Sequence, residues 1–319
     1  MPRHPRADLS RVTTISIRSR ESKVSPRLFA VPFDGKQDSF SLFMKGLPDI
    51  LVARDLRGLI RDIVQARKKN KPVVLMMGAH VIKVGLAPVI IDLMERNIIT
   101  AVAMNSAASI HDVETALFGQ TSEDVATNMM DGRFGMARET GDFINGTLSG
   151  AVLTGDEGYG EALGQQLLKD KAKNARVSIL ASAARLGIPA TVHAAIGTDI
   201  IHQQPTMNGA ATGEMSMRDF TTLAAVCGKL TGGGVVLNVG SAVIMPEVFL
   251  KALTVARNLG AKARGFTTAV FDMNSHYRPT MNVQKRPTQD GGKGLYITGH
   301  HEIMIPLLAA MVITELGND

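Results

Sequence analysis

The sequence of 319 residues predicts an α/β fold, doubly wound around a mostly parallel sheet of the Rossmann-like class. Short apolar runs alternate along the chain with segments whose apolar residues recur at helical spacing. The runs are apolar at every position, which is typical of parallel strands that helices cover on both faces. No Pro/Ser-rich linker interrupts residues 29–319. We therefore expect that segment to form a single domain.

The first strand–helix pair illustrates how each element is assigned. Residues 73–77 form an apolar run that Gly78 ends, and apolar residues then recur at 86, 89, 90, 93 and 94. Further strands are predicted at 98–104, 189–195, 235–239, 265–271 and 295–297, and further helices at 161–186, 216–228, 246–259 and 304–315. The glycine-rich stretch 119–160 has weak periodicity. It is expected to form short helices and loops over one end of the sheet.

The positive charge is concentrated in the first 28 residues. The whole chain has a formal net charge of +6, and residues 1–28 contain seven basic and two acidic groups, or +5. We interpret residues 1–28 as a basic extension. The nearly neutral remainder argues against a nucleic-acid-binding groove, so we expect no nucleic-acid partner.

Cysteine content and hydropathy limit the compartment and the class of protein. The single Cys227 excludes a disulfide scaffold and fits a reducing compartment. No apolar run reaches the roughly 18 residues that a membrane span requires, and the basic start lacks the apolar segment of a secretory signal. These features predict a cytoplasmic enzyme with no membrane contact.

Polar and small residues follow the predicted strands, where ligands bind in open α/β sheets. Six of the eight histidines lie in or beside these loops, with several carboxylates among them. The loops contain Gly78, Ala79 and His80; residues 105–112; Gly197, Thr198, Asp199 and His202; Gly240 and Ser241; residues 272–279; and His300, His301 and Glu302. Imidazole and carboxylate also bind zinc, iron or manganese, so a metal site is a rival hypothesis. The absence of an H-x-x-x-H spacing argues against it, and we expect no metal.

Two lysines stand in a loop rich in glycine and proline before the last strand. A lysine with a lowered pKa can form an imine, and Lys285 has Arg286 as a cationic neighbour. The alternative for Lys285 and for Lys293 is a solvated loop lysine. Asp219 is interpreted as an ordinary surface charge on a helix.

Six blocks of the chain, in order, resemble deoxyhypusine synthase. They are VLMMGAHVIKVGL (74–86), AMNSAASIHD (103–112), IP (188–189) with GTD (197–199), VLNVGS (236–241), FDMNS (271–275) with RP (278–279), and IMIPLL (303–308). The resemblance extends over residues 71–315. It implies a deoxyhypusine synthase-like NAD-binding fold and an NAD-dependent transferase that works as a homotetramer.

In that family a polyamine is oxidised by NAD, and an aminoalkyl group passes through a lysine imine to an acceptor protein. The resemblance therefore implies three sets of site residues and a small-molecule amine as substrate. Catalytic roles are expected for Lys285, His300 and His276; cofactor contacts for Gly78, Ser106, Ala107, Asp112, Gly240, Ser241, Asp272 and Asn274; and substrate contacts for Asp199, His202 and Glu302.

The chain departs from the family mainly where the family binds polyamine. It has no tryptophan, and His111 and Asp112 replace the family's paired glutamates. Lys285 lies six residues after Pro279, whereas the family's imine-forming lysine lies eight residues after the corresponding proline. Two hypotheses remain. The first is an NAD-dependent aminoalkyl transferase that acts on spermidine or on another amine. The second uses the same scaffold as a nucleotide-binding protein or a histidine- or metal-dependent enzyme.

Overall fold

The computed structural model describes residues 12–13, 16, 19, 26–34 and 39–317. Contacts divide the chain into two units, Met1–Arg54 and Asp55–Asp319. Most of the predicted basic extension lies outside the described residues, so the predicted boundary at residue 28 stays a prediction.

The described part of the first unit is organised around helix α1, Phe40–Gly46. The hydroxyl of Ser39 caps it by accepting the N–H of Leu42. The N–H of Val31 donates to the carbonyl of Gly46 at 2.9 Å. The rings of Phe33 and Phe43 meet edge to face, 6.0 Å apart. These contacts hold the extended segment before α1 against the helix.

The second unit contains a sheet of six parallel strands, which confirms the predicted fold class. The strands are β1 Val73–Met77, β2 Ala101–Asn105, β3 Ala190–His193, β4 Val235–Val239, β5 Thr267–Asp272 and β6 Lys293–Thr298. Their order is β3-β2-β1-β4-β5-β6, and every pair is parallel. The winding direction reverses between β1 and β4, so this junction is the topological switch point of the sheet.

Helices connect and cover these strands. They are α2 Leu51–Lys68, which begins in the first unit, α3 His80–Lys83, α4 Ala87–Glu95, α5 Ser106–Phe118, α6 Val125–Met129, α7 Arg138–Thr154, α8 Tyr159–Lys169, α9 Ile179–Leu186, α10 Gly209–Gly228, α11 Ile244–Asn258, α12 Tyr277–Pro279, a π-helical turn Thr280–Lys285, and α13 His301–Gly317. In the described part of the chain no helix is both long and apolar enough to span a membrane.

The hydrophobic core explains why the strands are apolar throughout. Every residue of β1, β4 and β5 is buried. On one face Val74, Met76 and Val236 pack with Phe249 of α11 and Leu223 of α10. Helices α9 and α13 contact β3 and β5, and α4 packs against both helices. A half-exposed strand alternates apolar and polar residues, whereas a strand buried on both faces is apolar at every position.

The predicted helix 161–186 is two helices, α8 and α9, and the buried carboxylate of Asp112 explains the second start. Asp112 Oδ2 accepts the hydroxyl of Ser178 at 2.5 Å, and its oxygens accept the N–H groups of Ile179 and Leu180 at 2.7 and 3.2 Å. A carboxylate at a helix N-terminus satisfies N–H groups that have no partner within the helix. The spacing of apolar residues could not reveal this capping contact, because Asp112 is far from Ser178 in the sequence.

Two further predictions differ from the structure. Residues 138–154 form the 17-residue helix α7 within the stretch expected to hold only short helices. Helix α10 begins at Gly209, seven residues before the prediction, because the side chain of Asn208 accepts the N–H of Ala211 and starts the helix there. Glycine at six positions of α7 and α10 weakened the sequence signal for both helices.

Asp219 is a buried structural residue, which corrects its interpretation as a surface charge. It is only 2% exposed, and its Oδ2 accepts the N–H groups of Gly160 at 2.9 Å and Val192 at 2.6 Å. Burial raises the pKa of this carboxyl to about 7. Asp219 thus joins α10 to the start of α8 and to the middle of β3.

We predict that Asp219→Ala lowers the free energy of unfolding by about 2–3 kcal/mol, because it leaves the buried N–H groups of Gly160 and Val192 without an acceptor. Urea denaturation followed by circular dichroism measures the change. Asp142→Ala, at an exposed position of α7, is the matched control and should be nearly neutral. Equal stabilities of the two variants would contradict this role for Asp219.

Candidate functional site

The carboxyl ends of the six strands bring most of the sequence-predicted residues to one edge of the sheet. In chain order they are Gly78 and His80 after β1, Ser106 and Ala107 after β2, Asp199 and His202 after β3, Gly240 and Ser241 after β4, Asp272, Asn274 and His276 after β5, and His300, His301 and Glu302 after β6. This edge is where open α/β sheets bind ligands.

At the switch point the loops after β1 and β4 pack backbone against backbone. The N–H of Gly78 donates to the carbonyl of Val239 at 3.1 Å. A Cβ atom at Gly78 would overlap the carbonyl oxygen of Gly240. Gly240 has a φ of +63°, and a Cβ there would lie 2.8 Å from the ring of His301. Both positions therefore require glycine for the two loops to approach.

A pair of imidazoles lies beside this junction. The rings of His80 and His301 are 5.5 Å apart and inclined at 63°. His301 is 1% exposed, and its Nε2 donates to the carbonyl of Phe271 at 3.2 Å. Burial lowers its pKa, so the ring is neutral and Nδ1 is an acceptor. That buried Nδ1 has no hydrogen-bond partner, which leaves a hydrogen-bonding position at the edge of the sheet.

The loop after β5 carries the predicted nucleotide contacts. Asp272 is buried, and its Oδ1 accepts the N–H of Asn274 at 3.2 Å and lies 3.6 Å from His276 Nε2. The hydroxyl of Tyr296 donates to the carbonyl of Asn274 at 2.7 Å. The loop is therefore ordered by its own hydrogen bonds. Ser241, after β4, is buried and its hydroxyl accepts the N–H of Met245 at 3.2 Å.

The predicted catalytic residue His300 and the predicted substrate residue Glu302, which flank the buried His301 after β6, are exposed. His300 Nδ1 lies 3.7 Å from Glu302 Oε1, and both side chains are about half exposed, at 64% and 47%. Their roles in catalysis and substrate binding stay predictions.

On the β2 and β3 side, Ser106, Asp199 and His202 form a buried polar cluster. The hydroxyl of Ser106 donates to Asp199 Oδ2. His202 Nδ1 accepts the N–H groups of Gly197 at 3.1 Å and Asp199 at 3.2 Å, so its proton is on Nε2. That Nε2 is buried without a partner, 3.9 Å from Asp199 Oδ2. Burial raises the pKa of Asp199.

A cavity opens beside this cluster. Its volume is about 770 Å³, within the range of small-molecule sites. Its wall combines carboxylates, one ammonium, one imidazole and apolar side chains. Among its members are Lys83, Ala107, Ile110, His111, Glu114, Glu123, Phe134, Glu139 and Asp199. Helix α3 carries His80 at the imidazole pair and Lys83 at the cavity, so one helical turn joins the two parts of the edge.

Two sequence-predicted residues do not join this edge. Asp112, expected to contact the cofactor, is fully buried and its oxygens bond to the start of α9. Lys285 ends the π-helical turn in the crossover from β5 to β6. Near it, Thr268, the second residue of β5, donates its hydroxyl to the carbonyl of Val283. Lys285 thus lies toward the amino ends of the strands, exposed, and we leave both residues out of the site proposed below.

His111 and Glu114 line the cavity but were not among the predicted site residues. Both stand on α5, within one turn of each other, where their spacing only indicates a polar helix face. A possible signal was the replacement of the family's paired glutamates by His111 and Asp112. No group of three or more His, Cys, Asp or Glu side chains in the described ranges has the arrangement of a metal site.

A scan against protein-family models and a search of curated proteins find no match. Solved structures with a similar fold include a protein named as a candidate deoxyhypusine synthase from Entamoeba histolytica, at 11% identity and a TM-score of 0.53 over 88% of this chain and 96% of that one. A candidate LOR/SDH protein from Methanococcus maripaludis S2 matches 82% of this chain and 70% of its own, at 14% identity and a TM-score of 0.52.

A third similar structure is AgrE in its complex with ornithine and NAD+, at 12% identity and a TM-score of 0.54. The match covers 83% of this chain, which spans only 33% of the AgrE chain. Such identities show the fold alone. The described residues therefore have a divergent deoxyhypusine synthase-like α/β fold.

Proposed function

We propose that this protein is an enzyme that uses NAD to oxidise a small amine bound in the 770 Å³ cavity. The observation that carries the proposal is the joining of two features at one sheet edge. The switch point supplies a cofactor position, and the adjoining cavity supplies carboxylates for a cation. The similar fold of AgrE, solved with ornithine and NAD+, and of the candidate deoxyhypusine synthase supports this choice of cofactor and substrate class.

The residues at the switch point fit a dinucleotide. Asp272 supplies a carboxylate for a ribose hydroxyl, and the unpartnered Nδ1 of His301 offers an acceptor beside the junction of Gly78 and Gly240. Ser106 and Ala107 begin α5, whose first N–H groups suit an anionic group. When bound, NAD would accept a hydride from the carbon beside the amine nitrogen.

The cavity fits an amine with an apolar stem. Glu123, Glu139 and Asp199 line it, and a carboxylate accepts charge-assisted hydrogen bonds from an ammonium. Asp199 is the least exposed of the three. Ile110 and Phe134 supply apolar surface for the methylene groups. Asp199, with its raised pKa and its bond from Ser106, is placed to hold or release a proton near the amine.

The finer form of this proposal is transfer of an aminoalkyl group through a lysine imine, as the family resemblance implies. Loss of hydride and of a proton from nitrogen converts C–N into C=N, and a neutral lysine amine then displaces the departing amine. Lys83 lines the cavity, whereas Lys285 lies toward the opposite ends of the strands. We therefore assign the imine to Lys83 in this form of the proposal.

The same resemblance supports an acceptor protein and a homotetramer as further parts of the proposal. The single Cys227 supports a cytoplasmic location. The nearly neutral charge of residues 29–319 argues against nucleic acid as substrate.

We predict that Ala107→Leu abolishes binding of the amine or of NAD+, because the larger side chain fills part of the cavity. Titration calorimetry with NAD+, followed by absorbance of the reduced cofactor with a panel of amines, measures the effect. Ala126→Leu, on an exposed face of α6 outside the cavity wall, is the matched control and should bind as the wild type does. Failure of the wild type to bind NAD+ or reduce it with any amine would contradict the proposed function.

We predict that borohydride traps an amine-derived adduct on Lys83 in the presence of NAD+. Mass spectrometry should find the adduct in wild type and in Lys285→Ala, and not in Lys83→Ala. Reduction of the cofactor without any adduct would limit the enzyme to amine oxidation. An adduct that disappears in Lys285→Ala alone would restore the sequence-based assignment.

A further inference from the structure

A chain of hydrogen bonds fixes the imidazole of His111 in the cavity wall. The hydroxyl of Thr121 donates to Glu114 Oε2 and lies 2.6 Å from His111 Nδ1. The other oxygen of Glu114 accepts the hydroxyl of Thr140 at 3.0 Å. A hydroxyl has one proton, so Thr121 can only accept from His111. His111 therefore has its proton on Nδ1 and a lone pair on Nε2.

The Nε2 atom is available to a ligand. It makes no hydrogen bond with the residues that the structure describes, and it is not among the fully buried unpartnered atoms. Burial, helped by the charge of Lys83, lowers the pKa of His111 to about 4. The ring thus stays neutral at neutral pH, and Nε2 acts as an acceptor toward the cavity.

Lys83 restricts what this acceptor can bind. Its ammonium forms no ion pair with the described residues, and its charge acts on the His111 ring. A substrate ammonium at this position would be repelled by Lys83. A carboxylate would face the lone pair of Nε2. A hydroxyl satisfies both neighbours, because it donates one hydrogen bond and accepts another.

We propose that the substrate of this cavity carries a hydroxyl group, which donates to His111 Nε2 and accepts a hydrogen bond from the ammonium of Lys83. The inference rests on amine oxidation as the proposed function, in which the carboxylates of Glu139 and Asp199 hold the substrate's amine. It excludes the lysine-imine form of that function, because Lys83 stays an ammonium here. The ligand is then an amino alcohol, with its amine and hydroxyl at different parts of the wall. His111 is a specificity residue, and Thr121 and Glu114 are its positioning residues.

The first test examines the protein without ligand. NMR of ¹⁵N-histidine-labelled protein should show His111 as the neutral tautomer with the proton on Nδ1 between pH 6 and 8. The charged groups around the ring in the cavity wall are Lys83, Glu114, Glu123, Glu139 and Asp199. Thr121→Val should lose this tautomer, whereas Thr221→Val, at an exposed position of α10, should keep it. The opposite tautomer in wild type, or protonation near pH 6.5, would overturn the inference.

The second test compares 4-amino-1-butanol with n-butylamine by titration calorimetry in the presence of NAD+. We expect the amino alcohol to bind about tenfold more tightly, as one additional hydrogen-bonded group allows. The preference should disappear in Thr121→Val and persist in Thr221→Val. Equal affinity for the two probes, or binding of neither, overturns the inference. Equal affinity with cofactor reduction leaves the proposed function standing, whereas hydroxyl preference without cofactor reduction contradicts the proposed function alone.

Discussion

The structure depends on the close approach of the loops after β1 and β4. Gly78 donates its N–H to Val239, and Gly240 donates its own to Phe271 at 3.0 Å. The carbonyl of Phe271 also accepts from His301 Nε2. The ends of three strands and the start of α13 are thus tied together by backbone groups and one imidazole. A side chain at either glycine would separate them. The switch point of the sheet, and the site proposed there, follow from this junction.

The two parts of the proposed site are linked through the short helix α3. Because α3 begins just after Gly78, the position of that glycine sets the positions of His80 and Lys83 together. His80 faces His301 at the proposed cofactor position, and Lys83 lines the cavity together with His111. The β1–β4 junction therefore sets the position of Lys83 in the cavity wall through α3.

Sequence reasoning predicted the sheet well because burial on both faces leaves an unbroken apolar run, as in β1 and β5. It also predicted the loops that carry Gly78, Asp199 and Asp272, since ligand positions follow from strand ends. It failed where a distant contact decides the outcome. Asp112 and Asp219 lie on helices like surface carboxylates, yet backbone donors 67 and 27 residues away hold them inside. Lys285 was chosen from its loop, its cationic neighbour Arg286 and the family resemblance, and the π-helical turn that carries it toward the amino ends of the strands has no sequence signature.

The central claim is that the β1–β4 junction and the adjoining cavity form one NAD-dependent site. A crystal structure of the protein grown with NAD+ tests it most directly. We predict NAD+ at the carboxyl ends of the strands, with its pyrophosphate beside Gly240 and Ser106 and its nicotinamide ring at the cavity wall near Asp199. NAD+ bound away from the carboxyl ends of the strands, or no NAD+ at saturating concentration, would contradict it.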